Sequence, residues 1–170
     1  IHQLKQRRRT MAGPSGCGLC GVDSLQAAMT LNTEKINISD NKHNVPPAKV
    51  IIRAKDDLPK ILQNSGGTRG NHSAAFFDLS GQLVTYREDV GRHSALDKLL
   101  GCLSQQNQIK TAGFVLMTSR CSHDLVAKAA RLSLTTLVTL AQPTTLAVES
   151  ARNTQLALFC FQQKKLKRFA

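Results

Sequence analysis

The sequence predicts an α/β protein with a mixed, mostly parallel sheet. From residue 73 the elements read β-β-α-β-α-β-α-β, and alternation of this kind builds a sheet covered by helices. "AGFVLMTS" and "TTLVTLA" are continuous apolar runs, as expected of strands buried on both faces. "GRHSALDKLLGCLSQQ" repeats apolar residues at helical spacing, through Ala95, Leu96, Leu99, Leu100 and Leu103.

"SAAFFDL" is short, apolar and bounded by polar residues, so it reads as a strand. "SGQ" supplies the turn and "LVTYRED" the hairpin partner. "SHDLVAKAARLS" reads as a helix with Ser122 as its N-cap. "TTLAVESARNT" is a further helix and "LALFCF" the last strand.

The chain divides into an N-terminal segment, 1–65, and an α/β domain, 66–170, expected to form one compact unit. In the first segment Gly13–Gly21 is a loop. "VDSLQAAMTL" has helix-forming residues behind Asp23 or Ser24, and "NTEKINISDNKHNVPPAK" is an exposed connection. "VIIRAKDDLPKILQNSGG" is a short amphipathic helix closed by glycines.

At 170 residues the chain suits one domain with a real core. No apolar run approaches the roughly 18 residues of a membrane span, and "IHQLKQRRRT" has no signal-peptide pattern. The first residue is Ile1 rather than Met, as in a fragment or processed product. The net charge of +12, concentrated in Lys5, Arg7–Arg9 and Lys164–Arg168, favours polyanionic partners. Nucleic acid is the poorer choice: aromatics are 4 %, Trp is absent, and no helix-turn-helix or zinc-finger spacing occurs. Five cysteines are an odd number, too thinly spread for a disulfide scaffold, which favours reduced thiols in the cytoplasm.

Two of those cysteines, Cys17 and Cys20, stand in "GPSGCGLCG". Local spacing allows half a zinc site, a redox disulfide or a thiol that carries a group. Zinc would need about two more ligands, and no second Cys-x-x-Cys exists. A thioredoxin-like couple belongs at a helix start within a βαβ unit, whereas this pair precedes every regular strand. The glycines permit close approach of a partner, and the upstream arginines favour thiolate.

In a sheet of this type ligands bind beyond the C-terminal strand ends. That points to "REDVGRH", "TSRCSHD" and "AQPTT", with Glu88, Asp89, Arg92, His93, Ser119, Arg120 and Thr144 as the polar groups that could converge. Arg92 and Arg120 can grip phosphate in bidentate fashion, or pair internally with Glu88, Asp89 or Asp124. His72 and His93 should face the strand ends. Cys102 and Cys160 read as small hydrophobes, Cys121 lies beside the cleft, and His2, His43 and His123 read as surface residues.

The layout resembles the cytidine-deaminase-like three-layer fold, but the places where zinc deaminases carry His-x-Glu and Pro-Cys-x-x-Cys hold "REDVGRH" and "TSRCSHD". No zinc and no deamination are expected. "GCGLCG", "EDVGRHSALDKLLG", "KAARLSL" and "QPTTLAVESA", in this order, resemble the formate dehydrogenase accessory sulfurtransferase family (FdhD), from about Arg7 to Phe161.

The resemblance implies a sulfur carrier that takes sulfur from a cysteine desulfurase as a persulfide on Cys17, with Cys20 as second thiol. It passes that sulfur to the molybdenum cofactor, in its bis(molybdopterin guanine dinucleotide) form, before insertion into formate dehydrogenase. The cofactor would bind near His72, Arg92, His93 and Arg120, and at the position of the family's basic loop: Gln162, Gln163, Lys164, Lys165, Leu166 and Lys167. The partners implied are the desulfurase, the dehydrogenase and a guanine nucleotide moiety; a homodimer suits family and fold. The alternative is a cofactor-binding chaperone that moves no sulfur. The chain departs from the family pattern at Arg69 and Ser119, in Asp124 where Glu is usual, and in a 162–170 segment without glycine. The family usually carries an additional N-terminal portion, and the expectation is that it is missing ahead of Ile1.

Overall fold

The computed structural model describes residues 45–64, 66, 70–108 and 112–170. Cys17, Cys20, Arg69, His2, His43 and the helix expected after Gly21 lie outside the described residues. The elements in chain order are α1 (Ala48–Asn64), β1 (His72–Asp78), β2 (Leu83–Asp89), α2 (Arg92–Gln105), β3 (Gly113–Met117), α3 (His123–Arg131), β4 (Thr136–Thr139), α4 (Thr145–Asn153), β5 (Ala157–Gln162) and β6 (Lys165–Arg168).

The six strands form one sheet in the order β2-β1-β3-β4-β5-β6. β3, β4 and β5 are mutually parallel. β1 is antiparallel to both β2 and β3, so β2 runs with the parallel set, and β6 is antiparallel to β5. The sheet is therefore mixed, as expected, but not mostly parallel: only two of its five pairings are parallel, because β1 runs antiparallel between β2 and β3 and an additional strand, β6, pairs antiparallel to β5.

Side chains alternate between the two faces along each strand. Ala74, Phe76, Val115, Met117, Leu137 and Leu158 meet Leu96, Leu99 and Leu103 of α2, Leu125, Val126 and Ala129 of α3, and Ala147 and Ala151 of α4. On the other face Ala75, Phe77, Phe114, Leu116, Val138, Phe159 and Phe161 meet Ile51, Ala54 and Leu58 of α1. Three layers result, with two hydrophobic cores back to back. Covering on both faces is why β3 and β4 are buried at every position. Each fully buried large side chain among these contributes about 1.5–3 kcal/mol.

α1 begins behind Pro46 and Pro47, whose fixed φ suits a helix entry, and the Pro47 carbonyl accepts from Val50 N at 2.9 Å. It spans 17 residues and continues through Pro59, matching the expected amphipathic helix but starting two residues before it, at Ala48. Because α1 supplies the second core, the boundary drawn at residue 65/66 falls between packed elements.

The β1–β2 turn is organised by Asp78, whose carboxylate accepts from Ser80 N (2.9 Å), Ser80 Oγ (2.7 Å) and Gln82 N (2.9 Å). The bond from the Ser80 hydroxyl leads the interactions holding that carboxyl below its usual pKa. Gly81, at φ +84, takes the left-handed position of this turn. Gly113 opens β3 because a Cβ there would overlap the Phe77 carbonyl and the Phe76 ring.

Candidate functional site

Strand direction decides which polar residues can meet. The register pairs His72 with Asp89 and Ala74 with Met117; Met117 pairs with Thr139, and Thr139 with Cys160. The start of β1 and the ends of β2, β3, β4 and β5 thus share one rim of the sheet. "REDVGRH", "TSRCSHD" and "AQPTT" all lie along it, as the strand-end rule requires. Three strand spacings separate β1 from β5, about 14 Å, so the rim suits an extended ligand.

Hydrogen bonds hold the rim loops against one another. Ser73 N donates to Thr118 Oγ1 at 2.9 Å and Thr118 N to Ser73 O at 3.0 Å, while Ser73 Oγ donates to Glu88 Oε1 at 3.0 Å. Thr144 N donates to Cys121 O at 3.0 Å, joining the loop after β4 to the loop after β3. Sequence reasoning missed this lacing. Every bond crosses between separate segments, and no local spacing signals it.

His72 is half-buried at the start of β1. Arg92 opens α2 and is also half-buried; its Nε is buried without a hydrogen-bond partner among the described residues. Arg120 follows β3 and is exposed. Asp89 accepts from Lys98 Nζ at 2.6 Å and from Gly91 N at 2.9 Å. The Lys98 bond is the main reason its carboxyl stays below the usual range. Of the carboxylates that could have engaged the arginines, Asp89 is therefore committed to Lys98, and Asp124 faces a histidine.

That histidine is His93, buried to 9 % exposure in the first turn of α2. Its Nε2 stands 3.2 Å from Ser122 Oγ and 3.7 Å from Asp124 Oδ2. Burial, then the neighbouring Arg92 charge, lowers its pKa, and Asp124 opposes the shift. Ser122 occupies the N-cap position of α3, as expected, but its side chain bonds no amide of that helix. Thr144 does cap α4, accepting from Ala147 N. His123, expected at the surface, is buried at 6 % exposure, because helical position 123 turns inward; burial lowers its pKa as well.

The segment from Gln162 to Lys167 is not a loop. Gln162 ends β5, Gln163 and Lys164 make a two-residue turn, and Lys165, Leu166 and Lys167 lie in β6. Gln163 and Lys164 have φ of 48° and 64°, the left-handed pair that closes tight hairpins and suits strand twist. Glycine, expected for such backbone, is replaced by side chains at some conformational cost. The turn stands at the β5 end of the rim, with Gln163, Lys164, Lys165 and Lys167 exposed.

The remaining cysteines are held inside. Cys121 is fully buried beside the rim, and burial pushes its thiol up to about 12. Cys160, in β5, is likewise raised by burial, and its Sγ donates to Phe161 O at 3.4 Å. Cys102 Sγ accepts from Arg87 Nη2 at 2.8 Å. Among the described residues no group of three His, Cys, Asp or Glu could hold a metal ion, and no helix is long and apolar enough to cross a membrane.

A three-layer α/β unit with a cationic rim at its strand ends is the class of protein this structure defines. The model of the FdhD/NarQ family matches residues 1–169, and the chain belongs to that family. It is 40 % identical over 173 residues to the sulfur carrier protein FdhD of Acinetobacter baylyi, a match covering 95 % of this chain and 58 % of the relative. Identity is 42 % over 158 residues to the sulfur carrier protein FdhD of Chromobacterium violaceum, covering 93 % and 58 %. A crystal structure of a formate dehydrogenase accessory protein from Desulfotalea psychrophila superposes with a TM-score of 0.64 at 25 % identity, over 73 % of this chain and 53 % of that one. The chain thus spans rather more than half the length of these relatives.

Proposed function

We propose that this chain belongs to a cytoplasmic sulfur carrier that serves formate dehydrogenase maturation. The observation that supports this most is the family match along residues 1–169, which includes the Cys17-x-x-Cys20 motif, together with relatives named as sulfur carriers. The arrangement of layers and strand order is compatible with a deaminase-like scaffold whose zinc positions have been given to other uses.

In this reading Cys17 thiolate attacks the terminal sulfur of a desulfurase persulfide. The donor's S–S bond breaks, its cysteine leaves as thiolate, and Cys17 holds the persulfide. Cys20 can then attack the Cys17 sulfur, forming a Cys17–Cys20 disulfide and releasing the outer sulfur as sulfide, two electrons having come from the two thiols. A thiol reductant resets the pair. Flanking glycines favour both handovers, which depend on access and thiolate character. The molybdenum bis(molybdopterin guanine dinucleotide) is the substrate. His72, Arg92, Arg120 and the Gln162–Lys167 hairpin contact it along the rim, and His93 contributes from beneath.

The test is mass spectrometry of the peptide containing Cys17 and Cys20 after incubation with a cysteine desulfurase and cysteine. A persulfide adds one sulfur, about 32 Da. We expect the adduct in the native chain and in Cys20→Ser, and its loss in Cys17→Ser. An unmodified peptide under conditions that load other carriers would favour a chaperone that holds the cofactor without moving sulfur.

A further inference from the structure

Two helices start on this rim behind a hydroxyl residue in extended conformation, and only one of them is capped by it. Thr144 accepts from Ala147 N at the start of α4. Ser122, at φ −101 and ψ 161, is placed just as well at the start of α3, yet makes no such bond. Its hydroxyl is engaged instead by His93 Nε2 at 3.2 Å, with the Asp124 carboxylate 3.7 Å from the same nitrogen.

We infer that His93, Ser122 and Asp124 form a proton-operated cap on α3: neutral His93 holds the Ser122 hydroxyl, and charged His93 turns to Asp124 and releases that hydroxyl to the amides of α3. The chemistry follows from the donor inventory. A neutral ring protonated on Nδ1 offers one lone pair at Nε2, which the Ser122 O–H fills. A second proton makes Nε2 a donor. The carboxylate then becomes its stronger acceptor, through a charge-assisted bond. Ser122 Oγ keeps its lone pairs throughout, but only when the ring no longer holds it can the side chain turn them to the amide of Asp124 at the second helical position, one of the two that caps engage.

The surroundings set the operating range. Arg92 beside the ring and Lys128 on α3 oppose its charging; Asp97 on α2 and Asp124 favour it. Burial outweighs them all, so the Ser122-bound form prevails at neutral pH and the exchange falls on the acid side of 6.5. The Lys128–Asp97 ion pair, at 2.7 Å, joins α2 to α3 one turn further on, so side chains can switch while the helices stay docked. Asp124 is 24 % exposed against 11 % for the His93 side chain, so the carboxylate keeps contact with solvent while the ring is shielded.

On the proposed reading of the rim, uncapped α3 amides are available to a ligand phosphate at neutral pH and withdrawn in acid. That consequence rests on the sulfur-carrier reading; the cap exchange does not, and is measured without ligand. The experiment is an NMR titration of the isotope-labelled full chain, following the His93 ring carbons, the Ser122 Cβ and the Asp124 amide. We expect all three to share one midpoint below 6.5. Ser122→Ala should raise the His93 midpoint by removing the bond to the neutral ring, and Asp124→Asn should lower it by removing the partner of the charged ring. An Asp124 amide that does not follow His93, or either variant leaving the midpoint unmoved, would overturn the proposal whatever the outcome of the persulfide test.

Discussion

His93 and His123 both feel the charge of Asp124, and burial lowers the pKa of both. The unfolded chain takes up their protons at the ordinary value of 6.5. The fold binds them only at lower pH, so stability is greatest above 6.5 and declines as pH falls below it. Urea unfolding should therefore give a lower midpoint at pH 5 than at pH 7.5, with an unchanged slope. His123→Asn should flatten that dependence. A midpoint that stays level across this range would show that the two rings charge as readily in the fold as outside it. Cys121 illustrates the same effect with opposite sign: burial disfavours its thiolate, so nearness to the rim does not make it a nucleophile.

The β5–β6 hairpin is the element whose conformation sequence pattern did not reveal. Tight two-residue turns announce themselves by Asn-Gly or Asp-Gly, and "QQKK" contains neither. β6, "KLKR", shows only Leu166 as an inward apolar residue, too little alternation to distinguish an edge strand from a basic tail. What holds the strand is its partner: Cys160 lies opposite Lys167, Phe161 opposite Leu166 and Phe159 opposite Arg168. Arg168 also stacks over the Phe159 ring at 5.8 Å. Lys164, at φ 64°, should be relieved by glycine. We expect Lys164→Gly to stabilise the chain by about 1 kcal/mol in chemical denaturation. Destabilisation would indicate that the lysine side chain is itself engaged.

At the scale of the molecule, topology gathers the rim. Its residues come from five segments between His72 and Lys167 and meet because β2, β3, β4 and β5 point the same way while β1 points back. On the proposed reading, in which the ligand ends in guanine nucleotides, the rim should bind GDP more tightly than ADP. Arg120→Ala should weaken GDP binding about tenfold, the scale of a charge-assisted hydrogen bond to phosphate. Joint replacement of Lys164, Lys165 and Lys167 by serine is the better probe of the hairpin. Truncation would also remove Phe169 and Ala170, which pack on the core. Isothermal titration with both nucleotides checks this, and equal affinities would place the nucleotide site elsewhere.

The α/β class, the order of elements from residue 72 and the three rim stretches were legible in the sequence. Periodicity records which faces of a segment are buried, and "AGFVLMTS" could only suit a strand covered on both sides. The family was legible as well, because "EDVGRHSALDKLLG" and "QPTTLAVESA" are long contiguous motifs. Pairing across segments was decided by tertiary structure alone. It takes the Ser122 hydroxyl from its own helix and gives it to His93, commits Asp89 to Lys98 nine residues away, buries His123, and turns a basic tail into an edge strand. Local sequence sets how a residue can bond; which partner it meets depends on packing between segments distant in the chain, and spacing along the chain does not encode that distance.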